Sequence, residues 1–503
     1  MAKDVTVDTF RRRGGRLSEA LDPTLQRVSY PGPWEHTRHG MPAIHAFDKA
    51  HCLMLVEEGI IPRDIGRQLL AGLREMERED FLEARRSVGA SNHSGELWLT
   101  KRFGEEIAGW LHVGRSSGDL GAVSDSVTAR GKLLDVCEKL LVLRATLLET
   151  AKEHLATVMP GYSGAQHAQP ITFGFYLHSW EEAFRRDTER LHQAYARINL
   201  SPAGAAIMTG SDFNLNRHRV AELLGFDGLR TNCHDAIFHI DHLVEAACVL
   251  TVLMTNAGRL ADDLHLWATS EFGMVAIPDR YCITSSIMPQ KKNPWSTVYI
   301  RGQYARSMGR LSGVMALVKA RQDEFDAEHF VAVELWEMME ADHLSLEFLE
   351  GTIAHLQVNR KVMKQRAAAF WATATDVASM LVRERRLPWR TAHQIVAILV
   401  RLSQERGLRP QDVTTDLLDE AAVAHSGKPL GVPADALRAA LDPVHFVNAR
   451  TMVGGPAPSR LEPQMAESAA RLAADRAAYT RARERLEQAA RTLEAGIDAV
   501  LAG

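Results

Sequence analysis

The sequence predicts an all-α protein, and three observations carry that prediction. Apolar residues recur at helical spacing along most of the chain, and short alternating β-branched runs are nearly absent. Proline and glycine breaks then divide the periodic stretches into segments of unusual length. In the first, Leu133, Leu134, Cys137, Leu140, Leu141, Leu143 and Leu147 follow the i, i+3, i+4, i+7 rule with Lys and Glu between them. Pro160-Gly161 ends it. The next helix covers Phe173 to Ile198 and stops before Pro202-Ala203-Gly204, with a polar loop at Gly210 to Asn216. Long helices follow over Ile237 to Phe272, Thr297 to Lys319 and Leu344 to Val362, interrupted by a non-helical insertion from Ile277 to Pro294. After about residue 370 the helices shorten, with stops such as Gly407-Leu408-Arg409-Pro410 and Gly427-Lys428-Pro429. The last stretch, Glu462 to Leu493, is charged and Ala-rich and reads as a solvated helix. The chain thus divides into an N-terminal helical domain (1–120), a central long-helix bundle (121–372) with the loop 277–294, and a C-terminal helical domain (373–503). Long helices with apolar residues on more than one side build a bundle, often one shared between chains.

Composition narrows the function. At roughly 150 residues per domain, 503 residues make about three units. The chain is 46% hydrophobic and 24% charged, which excludes a disordered or fibrous protein. Its 59 basic and 63 acidic side chains leave a net charge of −4 and predict no broad basic face for nucleic acid. Cys52, Cys137, Cys233, Cys248 and Cys282 are scattered without a C-x-x-C pair and read as reduced thiols of a cytoplasmic protein. Arg11, Arg12 and Arg13 precede no apolar run, so no signal peptide is expected. The most apolar stretch, Ala246 to Met254, is too short to span a bilayer.

Three polar segments flank the long helices. The first runs from Thr284 to Pro294, with Ser285, Ser286, Met288, Pro289, Lys291 and Asn293. Two serines and a fixed turn before Lys and Asn suit a carboxylate: Lys291 brings charge, Asn293 directional hydrogen bonds, and backbone N–H groups face a developing oxyanion. By composition alone an ordinary surface loop explains it equally well. The second runs from Leu111 to Asp119, where Ser116 and Ser117 can donate to a carboxylate; spacing alone favours an N-cap before a helix near Ala122. In the third, Gly161 to Pro170, Ser163, Gln166 and Gln169 either bind substrate or satisfy a tight turn, and His167 reads as a structural histidine. No metal set is expected: His93 and His112 lack a companion at ligand spacing, and His329 with Glu328 and Glu334 lacks the H-E-x-x-H order. P-loop, Rossmann and G-x-S-x-G patterns are absent.

Taken together, Ser285-Ser286-Ile287-Met288-Pro289-Gln290-Lys291-Lys292-Asn293-Pro294 resembles the S-S-x-M-P-x-K-x-N-P signature of the aspartase/fumarase superfamily. His112-Val113-Gly114-Arg115-Ser116, Gly161-Tyr162, Ala168 to Gly174, Ala374-Thr375-Asp376-Val377-Ala378, Leu441-Asp442-Pro443 and Gly454 to Pro458 are similar to its argininosuccinate lyase branch. The resemblance spans about His93 to Pro458 and implies a three-domain fold around a central bundle. It also implies a homotetramer whose sites each draw on three subunits, and a reversible, cofactor-free elimination of fumarate. Ser285 would be the general base on a mobile loop, with Arg115, Ser116, Ser117, Ser163, Gln166, Ser286, Met288, Lys291 and Asn293 around the substrate. A serine is a poor base at its ordinary pKa, so Lys291 and closure over a dry site must favour its alkoxide.

The chain departs from that branch at telling positions. Where the branch reads H-T-G-R-S-R-N-D-Q, Ser117 and Gly118 replace its second Arg and its Asn; where it reads G-Y-T-H, Gly164 stands at the histidine. Gly164 and Gly118 imply a roomier pocket, and Asp323, Glu324 and Asp326 suit a cationic amine. An alkylammonium leaving group already carries its proton and needs no histidine. The expectation is therefore a carbon–nitrogen lyase acting on an N-substituted aspartate of the ethylenediamine-N,N′-disuccinate (EDDS) kind, its partners being fumarate and an amine. True argininosuccinate lyase, a catalytically silent structural relative, and an aspartase or adenylosuccinate lyase are the competing readings.

Overall fold

The computed structural model describes residue 22, residues 34–319 and residues 326–503; the side chains of 35, 36 and 326–329 lie outside that description. The Asp323, Glu324 and Asp326 carboxylates therefore lie outside it too. Of the described residues, 71% are helical. After α1 (Met41–Glu57) come five bundle helices: α2 (Ser117–Glu153), α3 (Phe173–Ile198), α4 (Asp241–Trp267), α5 (Trp295–Leu317) and α6 (Asp326–Ala354). A last helix, α7, runs over Pro458–Ala502. α2 begins five residues before the expected start near Ala122, because Ser116 and Asp119 form a capping box.

Side-chain pairs give the direction of each helix. Cys137 of α2 meets His192 of α3 while Arg144 meets Glu181 and Thr188, so these two are antiparallel. His265 meets Thr297 and Thr251 meets Ser307, setting α4 against α5; Ser296 meets Thr352, setting α5 against α6. Lys132 with Glu340 and Thr146 with Glu350 run α6 parallel to α2. One end of the bundle thus collects the C-terminal ends of α2, α4 and α6 and the N-terminal ends of α3 and α5. Leu140, Leu147, Phe173, Phe184, Leu250, Leu260, Leu335 and Leu349 fill its core. α4 is long and apolar enough to cross a membrane by length and composition, unlike the short run the sequence suggested. Its Leu250, Leu253, Met254, Ala257, Leu260 and Leu264 pack inside this core.

The expectation of a solvated final helix is corrected. α7 lies antiparallel along α2, with Asp475 on Arg144 at 2.6 Å and Arg483 on Asp135. Its Leu461, Met465, Leu472 and Ala482 enter the bundle core, and Leu493, Ile497 and Val500 enter the N-terminal cluster with α1. Its buried positions are widely spaced among exposed alanines and charged residues, which weakens the hydrophobic signal. A separate cluster from Trp371 to Leu441 forms the C-terminal part.

Candidate functional site

The signature segment closes a short hairpin. β3 (Cys282–Thr284) pairs antiparallel with β4 (Lys292–Pro294), placing Ile283 opposite Asn293 and Thr284 opposite Lys292. Residues 285–291 span the gap, and Lys292 is tied to Asp279 at 2.5 Å. Ser286, Met288 and Lys291 are exposed, Asn293 is half-buried, and Ile287 is 82% exposed. The half-buried Ser285 Oγ accepts from the Ile287 and Met288 N–H groups at 3.3 and 3.0 Å. Backbone donors aimed at a hydroxyl oxygen favour its ionised form, the property a serine base needs. Sequence spacing held the serines; this internal donor pair became visible only in the fold.

The third segment is a β-hairpin rather than a plain loop. β1 (Val158–Ser163) pairs with β2 (Gln166–Thr172), and Ser163 faces Gln166 across the turn. Gly164 and Ala165 both have positive φ, +56° and +60°, as a two-residue type I′ turn requires. The glycine is therefore demanded by the turn, and a Cβ there would meet open space. Ser163 and Gln166 are exposed at the tip. His167 packs between Tyr162, edge-on at 5.0 Å, and Phe370, tilted at 4.7 Å between ring centroids, as a structural histidine would. Gln169 Nε2 donates to Thr375 Oγ1 at 3.2 Å.

At the start of α2, Ser116 is the N-cap. Its Oγ accepts from Gly118 N–H at 3.4 Å, and Asp119 Oδ1 accepts from the Ser116 N–H at 2.9 Å. Burial pushes the Asp119 carboxyl up to about 6, against the pull of the Ser116 N–H and Arg115. Arg115 is tied to Asp48. Its buried guanidinium donates to Asp48 Oδ1 at 2.7 Å, while the other Asp48 oxygen takes Arg85 at 2.6 Å. Burial alone would raise the Asp48 carboxyl; the two guanidiniums outweigh it and hold it below the usual range. Gly118 is also corrected: a Cβ there would lie 2.6 Å from Ile207 and 3.1 Å from the Ala206 carbonyl, so its space is filled and enlarges no pocket.

Ser117 is half-buried and meets His93 Nε2 at 3.0 Å. Behind it, His93 Nδ1 lies 3.8 Å and His112 Nδ1 3.2 Å from Glu96 Oε2. Burial lowers the His93 pKa, keeping the ring neutral near pH 7. Burial raises that of Glu96, but its contacts to His112 and His93 prevail and keep it ionised. The expected absence of a ligand-type cluster is thus overturned: His93, Glu96 and His112 bring donor atoms within 4.8 Å of one another, a spacing that could hold a metal ion. His178, Glu181 and Glu182 do likewise, with the carboxylates already engaged by Arg144 and Arg185. Asp48 and Glu96 are the site neighbours that the sequence reading missed; a lone Asp inside the apolar run of α1 was the available signal for the first.

The three segments do not meet within one chain. α2 has 37 residues and is about 55 Å long. Ser116 and Ser117 sit at its beginning, while the 158–172 hairpin follows its end and β4 leads into α5 at that same end.

Known proteins resemble this chain over most of its length. A family model described as Lyase matches residues 45–309, and one described as Argininosuccinate lyase C-terminal matches 371–448. The chain is 36% identical over 451 residues to argininosuccinate lyase of Methanosarcina acetivorans, covering 90% of this chain and 91% of that one. It is 37% identical over 436 residues to argininosuccinate lyase of Methanoculleus marisnigri, covering 86% and 87%. Among solved structures, EDDS lyase in complex with formate superposes with a TM-score of 0.87 at 33% identity, covering 96% of this chain and 97% of that one. An EDDS lyase variant with bound fumarate gives 0.87 at 34% identity, covering 93% of each.

Proposed function

The chain belongs to the aspartase/fumarase superfamily, as a fumarate-forming carbon–nitrogen lyase of its argininosuccinate lyase branch, and from that premise we propose that it eliminates fumarate from an N-substituted aspartate with Ser285 as base. The observation that carries the mechanism is the pair of backbone N–H groups held on Ser285 Oγ. Removing the proton beside a carboxylate builds charge on that carboxylate, which Lys291 would neutralise and Asn293 would hydrogen-bond. Ser116, Ser286, Met288, Ser163 and Gln166 would line the pocket. Arg115, committed to Asp48, would position the Ser116 turn.

A complete site needs both ends of the bundle, which are about 55 Å apart in one chain. Antiparallel copies would bring them together, and the exposed apolar side chains support this: Val142 on α2, Val252 and Leu266 on α4, Val298, Met308 and Met315 on α5, and Leu344 on α6. We assign a cytoplasmic homotetramer with sites shared by three subunits and partners limited to fumarate and an amine.

Two amines compete. The type I′ turn at Gly164–Ala165, which leaves open space where the branch has a histidine, favours an alkylammonium of the EDDS kind. The 36% and 37% identities to argininosuccinate lyases favour arginine equally. Product mass after incubation with fumarate and ethylenediamine, arginine or ammonia decides between them. Adduct with arginine alone would reject the EDDS-type substrate.

A further inference from the structure

Three donor atoms converge beside the Ser116–Ser117 turn. His93 is the N-cap residue of the helix Ser94–Phe103, Glu96 lies in the first turn of that helix, and His112 ends the short 3₁₀ turn Gly109–His112. Glu96 Oε2 is 3.2 Å from His112 Nδ1 and 3.8 Å from His93 Nδ1, and all three atoms lie within 4.8 Å of one another. A tetrahedral ion with bonds of about 2.1 Å holds its ligand atoms about 3.4 Å apart, which falls between those two distances. Glu96 is 6% exposed, and its Oε2 takes no well-directed hydrogen bond from any described group, although two imidazoles face it. Nitrogens that close on a buried carboxylate oxygen without bonding to it share a centre rather than a proton.

We propose that His93, Glu96 and His112 bind a divalent ion of the zinc class, with water in the fourth position, in addition to the reaction's own partners. Two imidazoles and one carboxylate are ligand types such an ion takes, and the half-buried His112 leaves one side open. A ligating histidine commonly donates through its other nitrogen, and His93 Nε2 has Ser117 Oγ at 3.0 Å in that place. Arg115, the cation that bears on both His93 and Glu96, is neutralised by Asp48 at 2.7 Å. The ion ties the 93–96 turn to the 112–117 segment and so fixes the serines at the start of α2. His178, Glu181 and Glu182 form no such site, because Arg144 and Arg185 already take both carboxylates.

Calorimetric titration of the chelator-treated full chain with zinc, and visible spectra with cobalt as the probe, test this. Neither needs turnover, so both are independent of the lyase reading. One ion per chain with a micromolar or tighter dissociation constant is expected, together with the visible absorption of tetrahedral cobalt. Glu96→Gln and His112→Ala should each weaken binding by about a hundredfold or more and abolish that absorption, at an unchanged far-UV spectrum. Ser117→Ala, which removes only the partner of a ligand, should cost about tenfold. His178→Ala should change neither binding nor spectrum. The chain has 21 histidines, so zinc held equally well by Glu96→Gln and His112→Ala would be surface binding and would overturn the proposal. No saturable binding by the unaltered protein would overturn it as well.

Discussion

Ser285 and Lys291 bear on the proposed chemistry, and Asp48 bears on stability. With Ser285 proposed as the base, Ser285→Ala should lower kcat for fumarate release by about 10²- to 10⁴-fold with an unchanged far-UV spectrum. Lys291→Met should instead raise the KM for fumarate, read from initial rates of addition. Asp48 touches no expected substrate atom but neutralises two buried guanidiniums, Arg85 and Arg115. Asp48→Ala strands both and should cost about 3–5 kcal/mol in denaturant unfolding. The direction with pH follows from its lowered carboxyl. A depressed folded pKa gives stability that is fully present above the unfolded value and lost as the pH falls through the folded one. Unaltered protein should therefore lose stability below about pH 4 more steeply than Asp48→Asn.

Elements show what the chain announces about itself and what it hides. Phe173–Ile198 is readable to the residue, because a Thr cap and an uninterrupted apolar stripe mark it. The 158–172 hairpin was hidden, since its turn signal is a single glycine beside Ala165, an alanine forced to positive φ. Gly164→Val should destabilise the protein by about 1–2 kcal/mol in thermal or denaturant unfolding, whereas Gly164→Asn should be nearly neutral. The same geometry predicts that Gly164→His strains the turn. The burial of α7 was hidden because its buried residues are spread thinly among exposed charged residues and alanines. At the site, motif spacing exposed Ser285, Lys291 and Asn293; the His93–Ser117 contact joins residues 24 positions apart and has no local signature.

At the scale of the whole molecule, the account requires chains to share sites. α5 buries only Ser296, Thr297, Ile300, Ser307 and Val314 among its 23 residues, leaving Met308 and Met315 at its surface. Sedimentation should give a tetramer of the 55.8 kDa chain. Met308→Glu should dissociate it and abolish turnover while helicity persists. The most direct measurement of the central claim is product mass after incubating the protein and its Ser285→Ala variant with fumarate and ethylenediamine. The account predicts an adduct of fumarate with the diamine for the unaltered protein and almost none for the variant. Equal adduct from both would contradict the assignment of the base, and no adduct with the diamine, arginine or ammonia would contradict the addition of amines to fumarate itself.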